Sequence, residues 1–282
     1  FNAALEKIFR ELDWESYGIR VNGKNLNHLR FADDIVLIGE SKEIVTRLSR
    51  ELIKASSVAG LKMNFAKTKY MSNKPGQDIQ LDDIIIEKVD EYIYLGQTIS
   101  IHSRLEKELQ ARKKKAWSGF WQLKQVFKSN IMIKSKVKIL ESCVLPILTY
   151  GAQTWALTKS QEKKLQITQR CMERSLLNIK RNDRIRNDEI RERTKAKDVT
   201  IIVRKLKAGY AGHVARKTKD EWSKRITEWT PYGRVRKRGR PAMRWSDDIV
   251  RRLGILWMRS AQDRTTCETI GEAYARERFK HP

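Results

Sequence analysis

The stretch Leu29-Arg30-Phe31-Ala32-Asp33-Asp34-Ile35-Val36-Leu37-Ile38-Gly39 sets two adjacent carboxylates between apolar runs. Unit charges about 4 Å apart repel by roughly 4 kcal/mol at an effective dielectric of ~20, so such a pair needs compensation in a strand-like segment. A tight turn at Ala32-Asp33-Asp34 between two short strands provides it. The carboxylates then rise to the rim of a sheet, where a divalent cation can bind between them, a geometry suited to phosphoryl transfer. An ordinary Asp-Asp turn, with its oxygens satisfied by backbone N–H groups and water, is the alternative that spacing leaves open. Both readings predict a hairpin within an α+β layer.

The residues around and after the hairpin carry a resemblance. Phe31-Ala32-Asp33-Asp34 resembles the F/Y-A-D-D box of reverse transcriptases. Gly60-Leu61-Lys62-Met63-Asn64-Phe65-Ala66-Lys67-Thr68-Lys69 is similar to the G-L-x-x-N-x-x-K-T segment that follows this box in non-LTR retrotransposon enzymes, and Tyr94-Leu95-Gly96 is similar to the next box. The segments Leu145-Pro146-Ile147-Leu148-Thr149-Tyr150-Gly151-Ala152-Gln153-Thr154-Trp155 and Gly239-Arg240-Pro241-Ala242-Met243-Arg244-Trp245-Ser246-Asp247-Asp248-Ile249 resemble the region after the polymerase core in LINE-type elements, most closely the RTE-like group.

The resemblance implies RNA-templated extension of a DNA 3′ end, with an RNA template, a DNA primer and a dNTP as partners. It assigns Asp33 as a direct ligand of two Mg²⁺ ions and Asp34 as a second ligand or electrostatic partner. Lys67, or alternatively Lys69, faces the triphosphate, and Tyr94, Leu95 and Gly96 hold the primer terminus. The family also needs an aspartate on a strand upstream of the box and a fingers domain. The upstream residues offer only Asp13, in a Leu-Asp-Trp-Glu context that does not match. The expectation is therefore a carboxy-terminal portion of such an enzyme, begun inside a longer polyprotein and inactive by itself. A non-catalytic nucleic-acid-binding remnant is the competing class, and another palm polymerase, of the telomerase or group II intron kind, is a third.

Composition bears on the same question. The chain has 282 residues and a mass of 33.1 kDa, room for two domains with their own cores. Residues 1–100 hold 14 Lys+Arg and 15 Asp+Glu, so of the 59 and 34 in the whole chain 45 and 19 lie in residues 101–282, a net of +26. An excess of that size confined to one part suits a polyanionic partner, whereas solvated helix faces with interspersed ion pairs do not account for its one-sidedness. Cys143, Cys171 and Cys267 show no C-x-x-C spacing, which argues against a disulfide framework or zinc knuckle. Cys143 and Cys171 fall in helical apolar patterns and are expected to be buried. With no signal peptide and no apolar run of spanning length, we expect an intracellular protein without a membrane partner; the resemblance implies placement in the nucleus and in cytoplasmic ribonucleoprotein.

Periodicity predicts a helix over Asn2–Leu12, a strand at Gly18–Val21 with a turn at Asn22-Gly23, and strands near Asn27–Phe31 and Ile35–Ile38. A helix follows from an N-cap at Ser41, through Val45, Leu48, Leu52, Ala55 and Ala59, to a stop at Gly60; it must cover the sheet that carries Asp33 and Asp34. Further strands are expected near Lys67–Met71, Ile84–Ile86, Tyr92–Leu95 and Gln97–Ser100. Residues 1–100 thus read as a partial palm, a small antiparallel sheet with a covering helix.

Residues 101–180 read as an all-α thumb. Leu105, Leu109, Ala116, Phe120, Leu123 and Phe127 recur at helical spacing beside the basic run Arg112, Lys113, Lys114 and Lys115, and Trp117 and Trp121 are either core residues or stacking platforms. Val137, Leu140, Val144 and Leu148 mark a second helix that Pro146 should kink or end, and Gln161–Ile179 marks a third, carrying Leu165, Met172 and Leu176. Residues 181–282 read as a basic helical region. Asn187 and Asp198 are its expected N-caps, Leu206, Tyr210, His213 and Val214 its candidate core, and residues 231–243 a loop. His213 is either a hydrogen-bonded structural histidine or a metal ligand. Arg238-Gly239-Arg240-Pro241 has the core of an AT-hook, in which Arg238 and Arg240 enter a narrow minor groove; a basic surface loop or a nuclear-targeting signal are its other readings. Asp247-Asp248, just after Ser246, reads as helix capping.

Overall fold

The computed structural model describes residues 1–75, 78–102, 105–230 and 243–276. The first part of the chain runs α1 (Asn2–Glu11), β1 (Ile19–Val21), β2 (Lys24–Leu26), β3 (His28–Phe31), β4 (Asp34–Leu37), α2 (Lys42–Val58), β5 (Lys69–Tyr70), β6 (Ile79–Leu81), β7 (Ile84–Lys88), β8 (Glu91–Tyr94) and β9 (Gln97–Ser100). Helices then dominate: α3 (Glu106–Gln122), α4 (Lys124–Lys128), α5 (Ile133–Ile139), α6 (Leu145–Leu148), α7 (Lys159–Leu176), α8 (Asn187–Thr194), α9 (Val199–Arg216), α10 (Trp222–Glu228), α11 (Asp247–Leu253), α12 (Trp257–Ser260) and α13 (Arg264–Arg276). This is the α+β class read from the sequence. Its strands form four small sheets among the described residues: β1 with β2, β3 with β4, β5-β7-β6, and β8 with β9. The pairing of β5 with β7 is parallel, where the sequence reading expected only antiparallel neighbours. By compactness the chain divides into one unit of residues 1–92 with the described part of 225–235, and another of 93–224 with the described part of 236–282.

In the first unit α1 and α2 cover the β3–β4 hairpin. Leu5, Ile8, Phe9, Trp14, Leu48 and Leu52 are buried together, and Ile35 and Leu37 of β4 pack against them. The ends of α2 are set by its sequence: the Ser41 hydroxyl accepts the Ile44 N–H at 3.4 Å. At the other end Gly60, at φ +74°, lets Leu61 N–H reach Ser56 O at 2.9 Å, which satisfies the last turn. The far side of α2 meets a second apolar group, Ile79, Leu81 and Ile86, through Val45 and Ile53. Strand β6 was not foreseen, since three residues are too few to show alternation.

The second unit has the larger core, built from α3, α5 to α7 and α9. Leu109, Ala116, Phe120, Leu140, Val144, Leu148, Leu165, Met172 and Leu176 all lie within it, as their helical spacing predicts. Pro146 neither ends nor breaks its helix. A π-turn at Leu140–Val144 widens the backbone just before it, and this accommodates the absent N–H and the ring. Several expectations need correction. Cys143 and Cys171 are exposed, because each falls on the outward side of its helix. Leu206 and His213 are also exposed on α9, whose buried line instead runs through Val203, Lys207, Ala211 and Val214. Asn187 is the first residue of α8, not its cap; its side chain accepts Arg174 Nη2 at 3.0 Å. Asp198 does cap α9, accepting Thr200 N–H at 2.9 Å. Among the described residues no helix is long and apolar enough to cross a membrane.

Candidate active site and nucleic-acid surface

The β3–β4 register pairs Phe31 with Asp34, leaving Ala32 and Asp33 as a two-residue turn. Ala32 takes φ +52°, a left-handed conformation that costs a residue with a Cβ about 1 kcal/mol. The hairpin below the tip is firmly seated. Arg30 pairs with Glu6 at 3.1 Å and lies 4.4 Å over the Phe9 ring, and the Asn27 amide donates to Trp14 O at 2.6 Å. His28 packs against both Phe9 and Trp14, at ring separations of 4.6 and 5.8 Å. Burial, aided by the Arg30 charge, pulls its pKa below the ordinary histidine value. The tip itself is open: Phe31, Ala32, Asp33 and Asp34 are exposed.

Neither carboxylate at the tip has a hydrogen-bond or ion-pair partner among the described residues. Two free, hard oxygen donors on a rigid support fit a small divalent cation, which binds through oxygen and keeps several waters. Among the described residues no third His, Cys, Asp or Glu side chain gathers with them in metal-binding position.

Lys67 is presented by its own motif. The Asn64 side-chain oxygen accepts Lys67 N–H at 3.2 Å, and the Asn64 carbonyl accepts Thr68 N–H at 3.0 Å and the Thr68 hydroxyl at 2.8 Å. The N-x-x-K-T residues thus close an Asx-type turn with Lys67 on its exposed side. Lys69, the other candidate, is bound to Glu87 across the parallel β5–β7 pair. The Lys67 ammonium has no partner among the described residues.

Tyr94-Leu95-Gly96 lies in the second unit. Leu95 at φ +47° and Gly96 at φ +77° connect β8 to β9, both central residues being at positive φ as a type I′ turn requires. The turn is bonded from behind. The Tyr150 hydroxyl donates to Leu95 O at 3.0 Å, and Arg112 Nη2 donates to Gly96 O. Arg112 Nε donates to Glu108 Oε1 at 2.5 Å, and Glu108 Oε2 accepts Thr98 N–H at 2.6 Å. Arg112 therefore leaves the basic run in which the sequence placed it and points inward, while Lys113 is half-buried and Lys114 and Lys115 are exposed. The i, i+4 spacing of Glu108 and Arg112 was the available signal for this pair.

From residue 109 to residue 140 the chain has nine Lys or Arg and no Asp or Glu. On the same segment Trp121 is 50% exposed and stacks on Trp117 at 5.8 Å, while Trp117 packs on the core. Arg238 and Arg240 lie outside the described residues.

Asp247-Asp248 is only half a cap. Both acids lie in the first turn of α11, as the dipole argument expects, but Asp247 Oδ2 accepts the Arg244 N–H at 2.8 Å, ahead of the helix. Asp248 instead accepts the Lys207 ammonium at 2.7 Å and the Tyr274 hydroxyl at 2.7 Å. Lys207 also donates to Trp155 O at 3.0 Å. Burial lowers the Lys207 pKa and raises that of Tyr274.

Residues 1–99 match the family model described as reverse transcriptase (RNA-dependent DNA polymerase). An uncharacterized transposon-derived protein of Caenorhabditis elegans is 38% identical over 246 residues, 82% of this chain and 86% of that protein. A Drosophila melanogaster protein, named for an RNA-directed DNA polymerase from transposon BS, is 28% identical over 94 residues, 32% of this chain and 10% of that protein.

Proposed function

Because the chain belongs to the family of transposon-derived reverse transcriptases, we propose that it carries part of the palm, the thumb and a basic C-terminal region of an RNA-directed DNA polymerase from a non-LTR, RTE-like element. The corresponding functional domains are residues 1–100, 101–180 and 181–282. The observation that supports this best is the hairpin tip, where Asp33 and Asp34 stand exposed and without partners among the described residues on a well-seated support. Asp33 is the direct ligand and Asp34 the second ligand or electrostatic partner of two Mg²⁺ ions. Such ions, when bound, supply the positive charge that stabilises the attacking and leaving oxygens of nucleotidyl transfer. Lys67 faces the dNTP triphosphate, where its ammonium neutralises or protonates the departing pyrophosphate. Tyr94, Leu95 and Gly96 hold the primer terminus. Lys113, Lys114 and Lys115 meet the phosphates of the RNA template and DNA primer, and Arg238 and Arg240 extend that contact. The element's protein works in the nucleus and in cytoplasmic ribonucleoprotein.

A second reading, a nucleic-acid-binding remnant without catalysis, is favoured by the +26 excess after residue 100, which serves binding whether or not chemistry occurs. Primer extension by the 282-residue chain on an RNA template, with Mg²⁺ or Mn²⁺, puts the remnant reading at risk. We expect none, because a two-metal site furnished with only the two hairpin carboxylates does not align the reacting oxygens. Robust incorporation that disappears in Asp33→Ala would overturn the remnant reading and establish the site.

A further inference from the structure

We propose that Arg112, Glu108 and Tyr150 are positioning residues that fix the Tyr94-Leu95-Gly96 turn where the primer 3′ end must sit, giving the Tyr150-Gly151 motif a role in primer placement. The proposal rests on the reading of this turn as primer-holding. Leu95, a residue with a branched side chain at φ +47°, does not favour its conformation, so the turn needs support beyond its own two strands. Both carbonyls of the turn receive that support: Leu95 O from the Tyr150 hydroxyl and Gly96 O from Arg112. The supporting groups are themselves locked. The Arg112 and Glu108 side chains are 5% and 2% exposed, and the guanidinium lies 4.5 Å over the Tyr150 ring. A charge-assisted pair so shielded from water holds one geometry.

Gly151 completes the device. At φ +74° it follows Tyr150 with no Cβ, and a Cβ there would lie 1.7 Å from Gln97 Nε2 on β9. The missing Cβ leaves room for the Gln97 side chain, and the left-handed backbone at Gly151 turns the chain directly after Tyr150. Reacting groups tolerate misplacement of only about 1 Å, so loosening this clamp moves the primer end without removing any contact to the duplex backbone.

The test uses the full chain with an RNA template annealed to a DNA primer that ends in photoreactive 4-thiothymidine. Crosslinks are mapped by mass spectrometry and backbone exchange at Gly96, Gln97 and Thr98 is followed by deuterium uptake. The wild-type protein is expected to crosslink within Tyr94–Gly96. Tyr150→Phe removes one hydrogen bond, and should cut that crosslink and speed exchange by about fivefold each, while the Kd for the hybrid stays within about twofold. Gly151→Ala should act in the same direction, and Arg112→Lys should retain part of the crosslink that Arg112→Gln loses. Crosslinking that stays at the wild-type level in Tyr150→Phe and Gly151→Ala overturns the proposal, even if exchange rises, because the clamp would then be structural only. A wild-type protein that crosslinks elsewhere overturns the primer-holding reading and this proposal with it.

Discussion

At Asp33-Asp34 two carboxylates stand exposed with no partner among the described residues, whereas at Asp247-Asp248 the same dipeptide accepts a backbone N–H, a buried ammonium and a phenol. A third pair, Asp82-Asp83, fills both central positions of the β6–β7 turn at φ +46° and +63°, a left-handed conformation that Asp tolerates better than most residues. The contrast separates three uses of one dipeptide. In the β6–β7 turn Asp supplies the turn, and in α11 it balances a buried charge. In the β3–β4 hairpin the left-handed position is given to Ala32, Asp33 follows it in the turn, and among the described residues neither acid balances a buried cation. Exposed and unbonded among the described residues, they are open to solvent and to the metal role proposed above.

The largest effect that can break this comparison is catalytic. In a complete enzyme containing these residues, Asp33→Asn should lower turnover by about two orders of magnitude or more and leave template binding within a few-fold, since it removes a metal ligand and no contact to nucleic acid. Steady-state kinetics with a filter-binding control measures this. Near-normal turnover would remove the distinction between the hairpin pair and an ordinary acidic turn.

Stability should show the opposite ranking. Asp248→Ala leaves the Lys207 ammonium, whose side chain is 3% exposed, without its counter-charge, and should cost about 3 kcal/mol in urea unfolding. Asp33→Ala and Asp34→Ala should each change stability by less than about 0.5 kcal/mol, because both are exposed and unbonded among the described residues. Equal losses at the two sites would mean that the hairpin pair is structural.

How much of this could be read from sequence depended on whether the signal was local. The hairpin, the Ser41 and Asp198 caps, the Gly60 stop and the apolar faces of α2, α3 and α7 follow from short-range patterns, and the structure forms each of them. Lys207 with Asp248, and Arg112 with the Gly96 carbonyl, join residues 41 and 16 positions apart, and no local pattern announces such bonds. The choice between Lys67 and Lys69 was open for the same reason: the Glu87 that engages Lys69 lies 18 residues away, on a strand whose parallel pairing the sequence did not reveal. His213 and Leu206 failed because α9 uses alanine and glycine in its buried line, which flattens the hydropathy signal.

The division between a near-neutral first part and a basic remainder can be sharpened by salt. If five or six phosphates are neutralised, log K for duplex DNA should fall with log salt with a slope of roughly −4.5 to −5.5. Replacing Lys113, Lys114 and Lys115 together by Ala should shallow that slope by about 2 to 3, measured by fluorescence anisotropy of the full chain. The same triple change should leave protein stability nearly unaltered, because none of the three ammonium groups has an acidic partner among the described residues. An unchanged slope would assign the +26 excess to solvated helix faces.

The smallest expected effect belongs to the support of the hairpin. His28 packs against both Phe9 and Trp14, its Nδ1–H donates to Asn27 Oδ1 at 2.6 Å, and it is faced by the opposing charges of Arg30 and Glu6. Burial first, and Arg30 second, hold its pKa below the ordinary 6.5, with Glu6 opposing them. The unfolded chain therefore binds a proton more readily than the folded one. The stability that the neutral ring contributes is intact above about pH 6.5 and is lost progressively as the pH falls from there through the depressed value. His28→Leu should thus remove part of the acid-side decline in the melting temperature between about pH 7 and pH 5, and leave the neutral-pH hairpin in place. Among the described residues the bonded partners of Asp248 are Lys207, Tyr274 and the Ile249 N–H, none a group of intermediate pKa. If the decline is the same in His28→Leu as in the wild type, acid sensitivity does not originate under Asp33 and Asp34, and the hairpin is no more responsive to pH than the buried pair.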